Sequence, residues 1–226
     1  MSGRVGSITT DIIADGLIFN MDAANRASYV ELNEKAYNTI DSSVVASCYN
    51  ETSGSFDPGP KAWNFDGIDA YIDMPQSAGQ FSRDPMTLEW VWKKDGSATK
   101  VLLMDRTTYN GLTGLEIWTE GMGMAVRGSS ATKINGTQTL SIDTWYHSVV
   151  TFNSTLATIY TNGVYDNSGV VDTLTDSTYN FNIGRFPTLG SYYWDGEIAC
   201  LRMYNRALSA NEVLHNYNSL KGRFGL

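Results

Sequence analysis

The sequence predicts an all-β protein: two packed antiparallel sheets, closed by one short C-terminal helix. Three observations lead there. Tyr, Trp, Thr, Ser, Asn and Gly are prominent, and charged residues make up only 18% of the 226 residues, a balance that favours strands and turns over helices. Short runs alternating core-type and solvent-type residues recur, bounded by Gly, Asn, Asp or Ser, as half-buried strands require. Only near the C-terminus does the period become helical. An apolar content of 42% suffices for a core, and sandwiches of this length are commonly single domains. The chain divides into an N-terminal arm (1–15), one domain (16–220, with a helix at about 210–220) and a tail (221–226).

Residues 1–15 are small and polar apart from Ile12-Ile13, and read as an arm that is either unstructured or docked on a neighbouring subunit. The first strand is Gly16-Leu17-Ile18-Phe19-Asn20-Met21-Asp22-Ala23-Ala24-Asn25. Residues 26–60 lack sustained periodicity and carry Gly54, Pro58, Gly59 and Pro60, which predicts a long loop with one weak strand over 43–47. Residues 62–72 predict a hairpin: Asp66-Gly67 makes the turn, Gly67 accepting positive φ, and Phe65 and Ile72 enter the core from either side.

Leu88, Trp90 and Trp92 share one face of the next strand, and such an aromatic face packs between two sheets. Further strands are expected at 101–104, 114–119 and 121–126, then at 144–152 and 157–163 around an Asn153-Ser154 turn, and at 180–185. Residues 198–204 alternate again. Ser209 then stands three residues before Glu212 as a capping box, with Leu208 and Val213 at the two positions of a hydrophobic staple. Gly222 offers a left-handed end to the helix.

A net charge of −8 and the absence of any Lys/Arg cluster argue against a nucleic-acid partner. No stretch is apolar for long enough to span a membrane, and no secretory h-region stands at the start. Cys48 and Cys200 leave one long-range disulfide open without requiring it; Cys200 reads as a small buried hydrophobe. The sequons at Asn50, Asn135 and Asn153 are what chance gives in a chain rich in Asn and Thr.

Five blocks carry a resemblance. The closing segment Gly196-Glu197-Ile198 to Arg202-Met203-Tyr204-Asn205-Arg206-Ala207-Leu208-Ser209 and Glu212 resembles the pattern G-x-I-x-x-x-R-x-Y-N-R-A-L-S-x-x-E of the laminin-G-like, concanavalin A-like lectin/glucanase jelly rolls. Residues 16–25 resemble the opening strand of such domains in structural proteins of tailed phages. Phe65-Asp66-Gly67 with Asp69 and Tyr71-Ile72 is similar to F-D-G-x-x-D-Y-I. Trp145 and His147 with Tyr160, Asn162 and Gly163 match the paired strands, and Phe181, Ile183 and Gly184 match F-x-I-G. The relatives' W-x-D-x-S-G-N segment is absent. The resemblance covers residues 16–218 and implies the concanavalin A-like fold.

The fold houses glycan binders, hydrolases and inert modules alike, so the site decides. Hydrolysis needs two carboxylates flanking the scissile bond, which the glucanase branch carries as E-x-D-x-x-E; that spacing is missing, and Glu116 and Glu120 are the nearest candidates. No catalytic residue is assigned and no enzyme is expected. His147 and His215 are isolated and read as packing residues. No cofactor is required; many members of the resembling superfamily hold one structural Ca²⁺, for which Asp22 and Asp195 are the first candidates here, with Asp66 and Asp69 in similar positions, and turn chemistry is the other explanation of such aspartates. A sugar or a protein partner would meet exposed aromatics beside polar groups, namely Glu116 with Trp118, Tyr109, and Tyr192 with Tyr193.

The resemblance then implies a non-enzymatic virion structural protein of a tailed phage, made in the host cytoplasm: a capsid decoration, head-fibre or tail-associated module. Its partners would be other virion proteins, met through the arm and the tail; the tail resembles the Y-N-x-x-K-x-R-[FY]-G-L ending of phage particle proteins. Host polysaccharide is a further expected partner. A free carbohydrate-binding module is the alternative.

Overall fold

The computed structural model describes residues 12–28, 34–50, 61–75, 84–105, 114–128, 132–172, 174–175, 177, 179–189 and 192–226. In chain order its elements are β1 (Leu17–Asp22), β2 (Lys35–Tyr37), β3 (Val45–Tyr49), β4 (Trp63–Asp66), β5 (Tyr71–Met74), β6 (Met86–Lys94), β7 (Lys100–Met104), β8 (Glu116–Glu120), β9 (Gly123–Arg127), β10 (Lys133–Asn135), β11 (Trp145–Asn153), β12 (Leu156–Thr161), β13 (Val164–Val170), β14 (Phe181–Ile183), β15 (Asp195–Tyr204) and α1 (Ala210–Phe224). The first sheet runs β1-β15-β6-β11-β12-β13, with β4 also on β15; the second runs β10-β9-β8-β7-β14-β5-β3-β2. Every strand pairing is antiparallel. This is the two-sheet sandwich the alternation predicts.

Leu88, Trp90 and Trp92 all point between the sheets. Trp92 meets Trp194 edge-on at 5.3 Å and Tyr146 at 5.6 Å, the offset geometry that aromatic quadrupoles favour. Its indole N–H donates to Ser148 Oγ at 2.9 Å, so this polar atom is satisfied inside the core.

The Asp66-Gly67 turn is not a hairpin. β4 pairs with β15 in the first sheet, whereas β5 pairs with β14 and β3 in the second. Residues 67–70 therefore carry the chain around a corner from one sheet to the other. One carboxylate oxygen stabilises that corner: Asp66 Oδ1 accepts the N–H groups of Ile68, Asp69 and Ala70 at 2.9, 3.1 and 3.1 Å. Burial pushes this carboxyl up, but the three N–H groups outweigh it and the net shift is downward. Gly67 does take positive φ (72°). Phe65 and Ile72 do enter the core from opposite sheets, both essentially unexposed.

Other differences lie in weakly patterned strands. The strand expected over 43–47 forms as β3, two residues later. β2, β10 and β13 lack a sequence signal, since two are three-residue edge strands and β13 is a polar edge with little alternation.

The helix starts as expected. Ser209 and Glu212 form the capping box, and Leu208 and Val213 are both buried in one cluster. It ends later than expected, however, at Phe224, with Gly225 (φ 67°) as its left-handed cap and Gly222 inside it. Leu220 and Phe224 bury against Val91, Ala199 and Cys200 on the outer face of the first sheet. That burial exceeds the roughly 1 kcal/mol that an interior Gly costs. The tail expected to reach other subunits is thus largely helix, with Phe224 packed on Trp145 at 5.2 Å.

The residues just before β1 touch the domain as well. Ile13 N–H donates to Asn216 Oδ1 at 2.8 Å, and Ile13 packs with Leu17 beside Val213. Residues 12–15 therefore dock on the chain's own helix; the rest of the arm lies outside the described residues. Cys48 and Cys200 are both buried free thiols, one between the sheets and one beneath the helix, so no disulfide joins them. Burial raises the Cys200 thiol to about 11.

Candidate functional site on the outer face of the second sheet

Helix α1 covers the outer face of the first sheet, and the outer face of the second sheet carries the candidate site. Its strand register lines up one outward row across all eight strands: Lys133, Arg127, Glu116, Met104, Asn182, Asp73, Ser47 and Lys35. Their alternate neighbours, Ile117 and Ile72 among them, fill the core. The adjacent outward row includes Trp118 opposite Val101 and Tyr71 opposite Tyr49.

Of the site residues expected from sequence, Glu116, Trp118 and Tyr192 fall on this face, but not as an open platform. Glu116 is buried and pairs with Arg127 at 3.5 Å. Trp118 is only 6% exposed. The Arg127 guanidinium lies 5.1 Å from its ring centre, and Phe186, with the half-buried Tyr192, packs on the Trp118, Val101, Met104 and Ala125 cluster. The segment after β14 thus folds back over the middle of the sheet, held by Val101 N–H donating to Tyr192 O at 3.1 Å. Trp118 is therefore packed rather than open to solvent, and Tyr192 is half-covered beside it. Tyr109 lies outside the described residues.

Beyond that segment a different group comes together, which includes the expected Tyr193. Tyr49 and Tyr71 are cross-strand partners whose rings stack at 4.5 Å with 13° between their planes. The Arg185 guanidinium lies 3.5 Å from the centre of the Tyr71 ring. Because β14 and β3 flank β5 on opposite sides, Tyr71 is sandwiched between arginine and tyrosine. Asn182 Oδ1 accepts the Arg185 Nε–H at 2.7 Å and fixes the guanidinium. Burial raises the Tyr71 phenol; Arg185 opposes the shift, and Tyr49, Asp73 and Tyr193 add to it. Tyr49 remains 41% exposed. The two-residue alternation around Ile72 was enough to turn Tyr71 outward, but the pairing with Tyr49 was not legible because β3 is weakly patterned.

The described carboxylates on this face are not spaced as in glycoside hydrolysis, in which the acid pair stands roughly 5–9.5 Å apart. Glu116 and Glu120 are four residues apart on one strand, about 13 Å at the rise of a β-strand. Glu116 and Asp73 are three strands apart, about 14 Å at the inter-strand spacing. Glu120 is in addition ion-paired with Lys133.

A second polar cluster lies beneath the helix; His147, Arg202 and Tyr204 of it stand in the resembling blocks, whereas Glu89 and Asn216 stand outside them. Glu89 Oε1 faces Arg202 Nη1 at 3.3 Å and His147 Nε2 at 3.1 Å; Glu89 Oε2 accepts Tyr204 O–H at 3.1 Å and Asn216 Nδ2–H at 2.7 Å. All five residues are buried. Burial alone would raise the Glu89 carboxyl, but Arg202, His147 and Asn216 more than offset it and hold it at about 2. An ionised carboxylate only accepts, so His147 carries its proton on Nε2. The cluster has no opening to solvent, and its role is to fasten helix to sheet.

The expected calcium ligands do not form one site. Both Asp22 oxygens take the Arg223 fork, at 2.6 and 2.8 Å. Asp22 pairs with Cys200 on β15, five residues from Asp195, a separation of roughly 16 Å along the strand. Asp195 packs against Gly67 at the corner, and Asp66 is committed to the three N–H groups there. Among the described residues no group of three or more His, Cys, Asp or Glu side chains is arranged to hold a metal. No described helix is long and apolar enough to cross a membrane.

Comparison with known proteins places the architecture. Solved structures of similar fold include Trypanosoma rangeli sialidase in complex with the inhibitor DANA, at 16% identity and a TM-score of 0.69, covering 91% of this chain and 33% of the sialidase. The binding domain of botulinum neurotoxin serotype D matches at 10% identity and a TM-score of 0.67, covering 90% of this chain and 52% of that one. The chain thus spans about a third to a half of these structures, and at such identities the likeness is one of fold. No curated protein matches the sequence. Residues 66–214 match the laminin-G-type family model of the concanavalin A-like lectin/glucanases superfamily. With the two-sheet antiparallel sandwich and its capped C-terminal helix, that match establishes that the chain belongs to the concanavalin A-like lectin/glucanase superfamily.

Proposed function

We propose that this chain is a non-enzymatic, lectin-like structural module of a tailed-phage virion, in a decoration, head-fibre or tail-associated position, and adhesive to host-surface glycan. The observation that carries the non-enzymatic and adhesive parts is the division of the second sheet's outer face. The carboxylate Glu116 is locked into an ion pair under packed side chains, while the stacked tyrosines and Arg185 remain at the surface. Sugar recognition needs such aromatic and polar groups held rigidly, and hydrolysis needs a close acid pair that the described residues of this face do not offer. The virion part is supported by the resemblance of residues 16–25 and of the closing segment to phage particle proteins.

Peptide mass spectrometry across a density gradient of particles from the source culture tests the virion reading. The expected result is co-sedimentation at a fixed ratio to the most abundant particle protein. A ratio near one to a few subunits would mean decoration, and one to dozens would mean a tail or fibre. Recovery only in the soluble fraction would sink the virion reading in favour of a free carbohydrate-binding module.

A further inference from the structure

We propose that the Arg185–Tyr71–Tyr49 ladder is the glycan site and that its ligand is an acidic saccharide, a chain bearing sugar carboxylates. The inference rests on the adhesive reading above and names its site and ligand class.

The chain is acidic, with 24 Asp and Glu against 16 Lys and Arg, and most surface cations would be expected to find a carboxylate. Arg223, Arg206, Lys93 and Lys133 all do so. Arg185 does not. Among the described residues its contacts are the Tyr71 ring and Asn182 Oδ1. Asn182 takes only Nε–H, which leaves the end-on pair of terminal nitrogens unused. That planar pair is the arrangement that grips a carboxylate with two parallel hydrogen bonds. Stacking on Tyr71 and the bond to Asn182 hold the guanidinium before any ligand arrives, so little side-chain entropy is lost on binding.

The rest of the ladder suits a sugar chain. The guanidinium and the Tyr49 ring lie on opposite sides of Tyr71, 3.5 and 4.5 Å from its centre, so a ligand crossing the stack meets a cation at one end and an exposed ring at the other. Lys35, one strand beyond β3, donates to Ser47 Oγ at 2.7 Å and adds a second positive charge at the Tyr49 side. The carboxylate Asp73 lies in the adjacent row, with one oxygen accepting from Asn180 Nδ2 at 3.2 Å. It sets the register of the ligand's carboxylate toward Arg185 rather than over β5. A net charge of −8 repels polyanions at long range, so any retention of one must come from a local contact of this kind.

Affinity electrophoresis of the full chain in native gels containing alginate, dextran sulfate or dextran tests this, with Arg185→Gln and Tyr49→Ala run alongside and melting temperatures recorded for each. The expected result is retardation of the wild type by alginate. Its affinity should fall about tenfold or more in each variant, the loss of a charge-assisted bond or of ring contact, with the melting temperature unchanged. Retardation by alginate and dextran sulfate alike, untouched by Arg185→Gln, would overturn the proposal as non-specific. Retardation by neutral dextran alone would overturn the acidic ligand while leaving glycan adhesion standing. No retardation in any gel would remove glycan adhesion as well. Should one variant fold poorly, the other still decides.

Discussion

Asn216 of α1 donates its amide N–H to Glu89 Oε2 at 2.7 Å, bonding the helix to the middle of the sheet it covers. The same amide is 3.0 Å from Tyr204 Oη, and its oxygen accepts Ile13 N–H at 2.8 Å. One side chain thus joins helix, sheet and N-terminal segment. Removing a partner from a buried charged cluster leaves the remaining charge uncompensated. Glu89→Gln, which takes from Arg202 its nearer carboxylate at 3.3 Å and leaves it Asp22 at 3.8 Å, is expected to lower unfolding stability by about 3–5 kcal/mol. Asn216→Ala should lower it by about 2–3 kcal/mol. Urea denaturation reads both; a loss within experimental error for Glu89→Gln would show that the cluster contributes nothing net.

Acid should weaken the same joint. The Glu89 carboxyl stands at about 2 in the folded protein against an ordinary value of 4.5, and Glu212, gripped by Arg206 and the Ser209 cap, is likewise lowered to about 2. A depressed carboxyl contributes stability that is complete above its unfolded value and lost as pH falls through the folded one. The melting temperature is therefore expected to drop between pH 4.5 and 2, with part of the slope removed in Glu212→Gln. A flat profile across that window would contradict the assignment.

Trp118→Ala separates packing from recognition. Trp118 is buried under Arg127, Phe186 and Tyr192, and truncating a large core aromatic costs about 3–5 kcal/mol. Any loss of ligand retention should then follow the loss of folded protein. A Trp118→Ala chain that melts like wild type would mean the ring is more accessible than the packing indicates.

Gly196 is irreplaceable on backbone grounds. Its φ is 135°, and an added Cβ would lie 2.3 Å from Lys93 O, a contact that requires β15 and β6 to separate. Gly196→Ala is expected to cost about 3 kcal/mol or more, read as a shift in denaturation midpoint. Wild-type stability would mean that the strands can part there at little cost.

Two truncations distinguish arm from domain. Deleting residues 1–11 keeps the Ile13 and Asp15 contacts, and particle association should weaken if the arm meets other subunits. Deleting residues 1–15 also removes the bond from Ile13 to Asn216 and the ion pair of Asp15 with Arg206, and should lower the melting temperature measurably. Equal melting temperatures for the two would show that the Ile13 contact adds no stability.

The sequence by itself determined what local chemistry can encode. Alternation of period two assigned Leu88, Trp90 and Trp92 to the core and turned Tyr71 outward beside Ile72. Ser209 and Glu212 marked the start of the helix, because a cap is satisfied by residues within one turn. Tertiary structure decided the rest, because period two says which face a side chain takes but not what covers that face. Glu89 reads as a solvent-facing residue between Leu88 and Trp90 until α1, more than a hundred residues later, lies over it. Trp118 reads as an exposed aromatic until Phe186 and Tyr192 fold across it. Asp66-Gly67 reads as a hairpin until β4 and β5 find partners in different sheets. In each case the deciding contact joins segments far apart in the chain, and no local pattern records which distant segment will supply the burial.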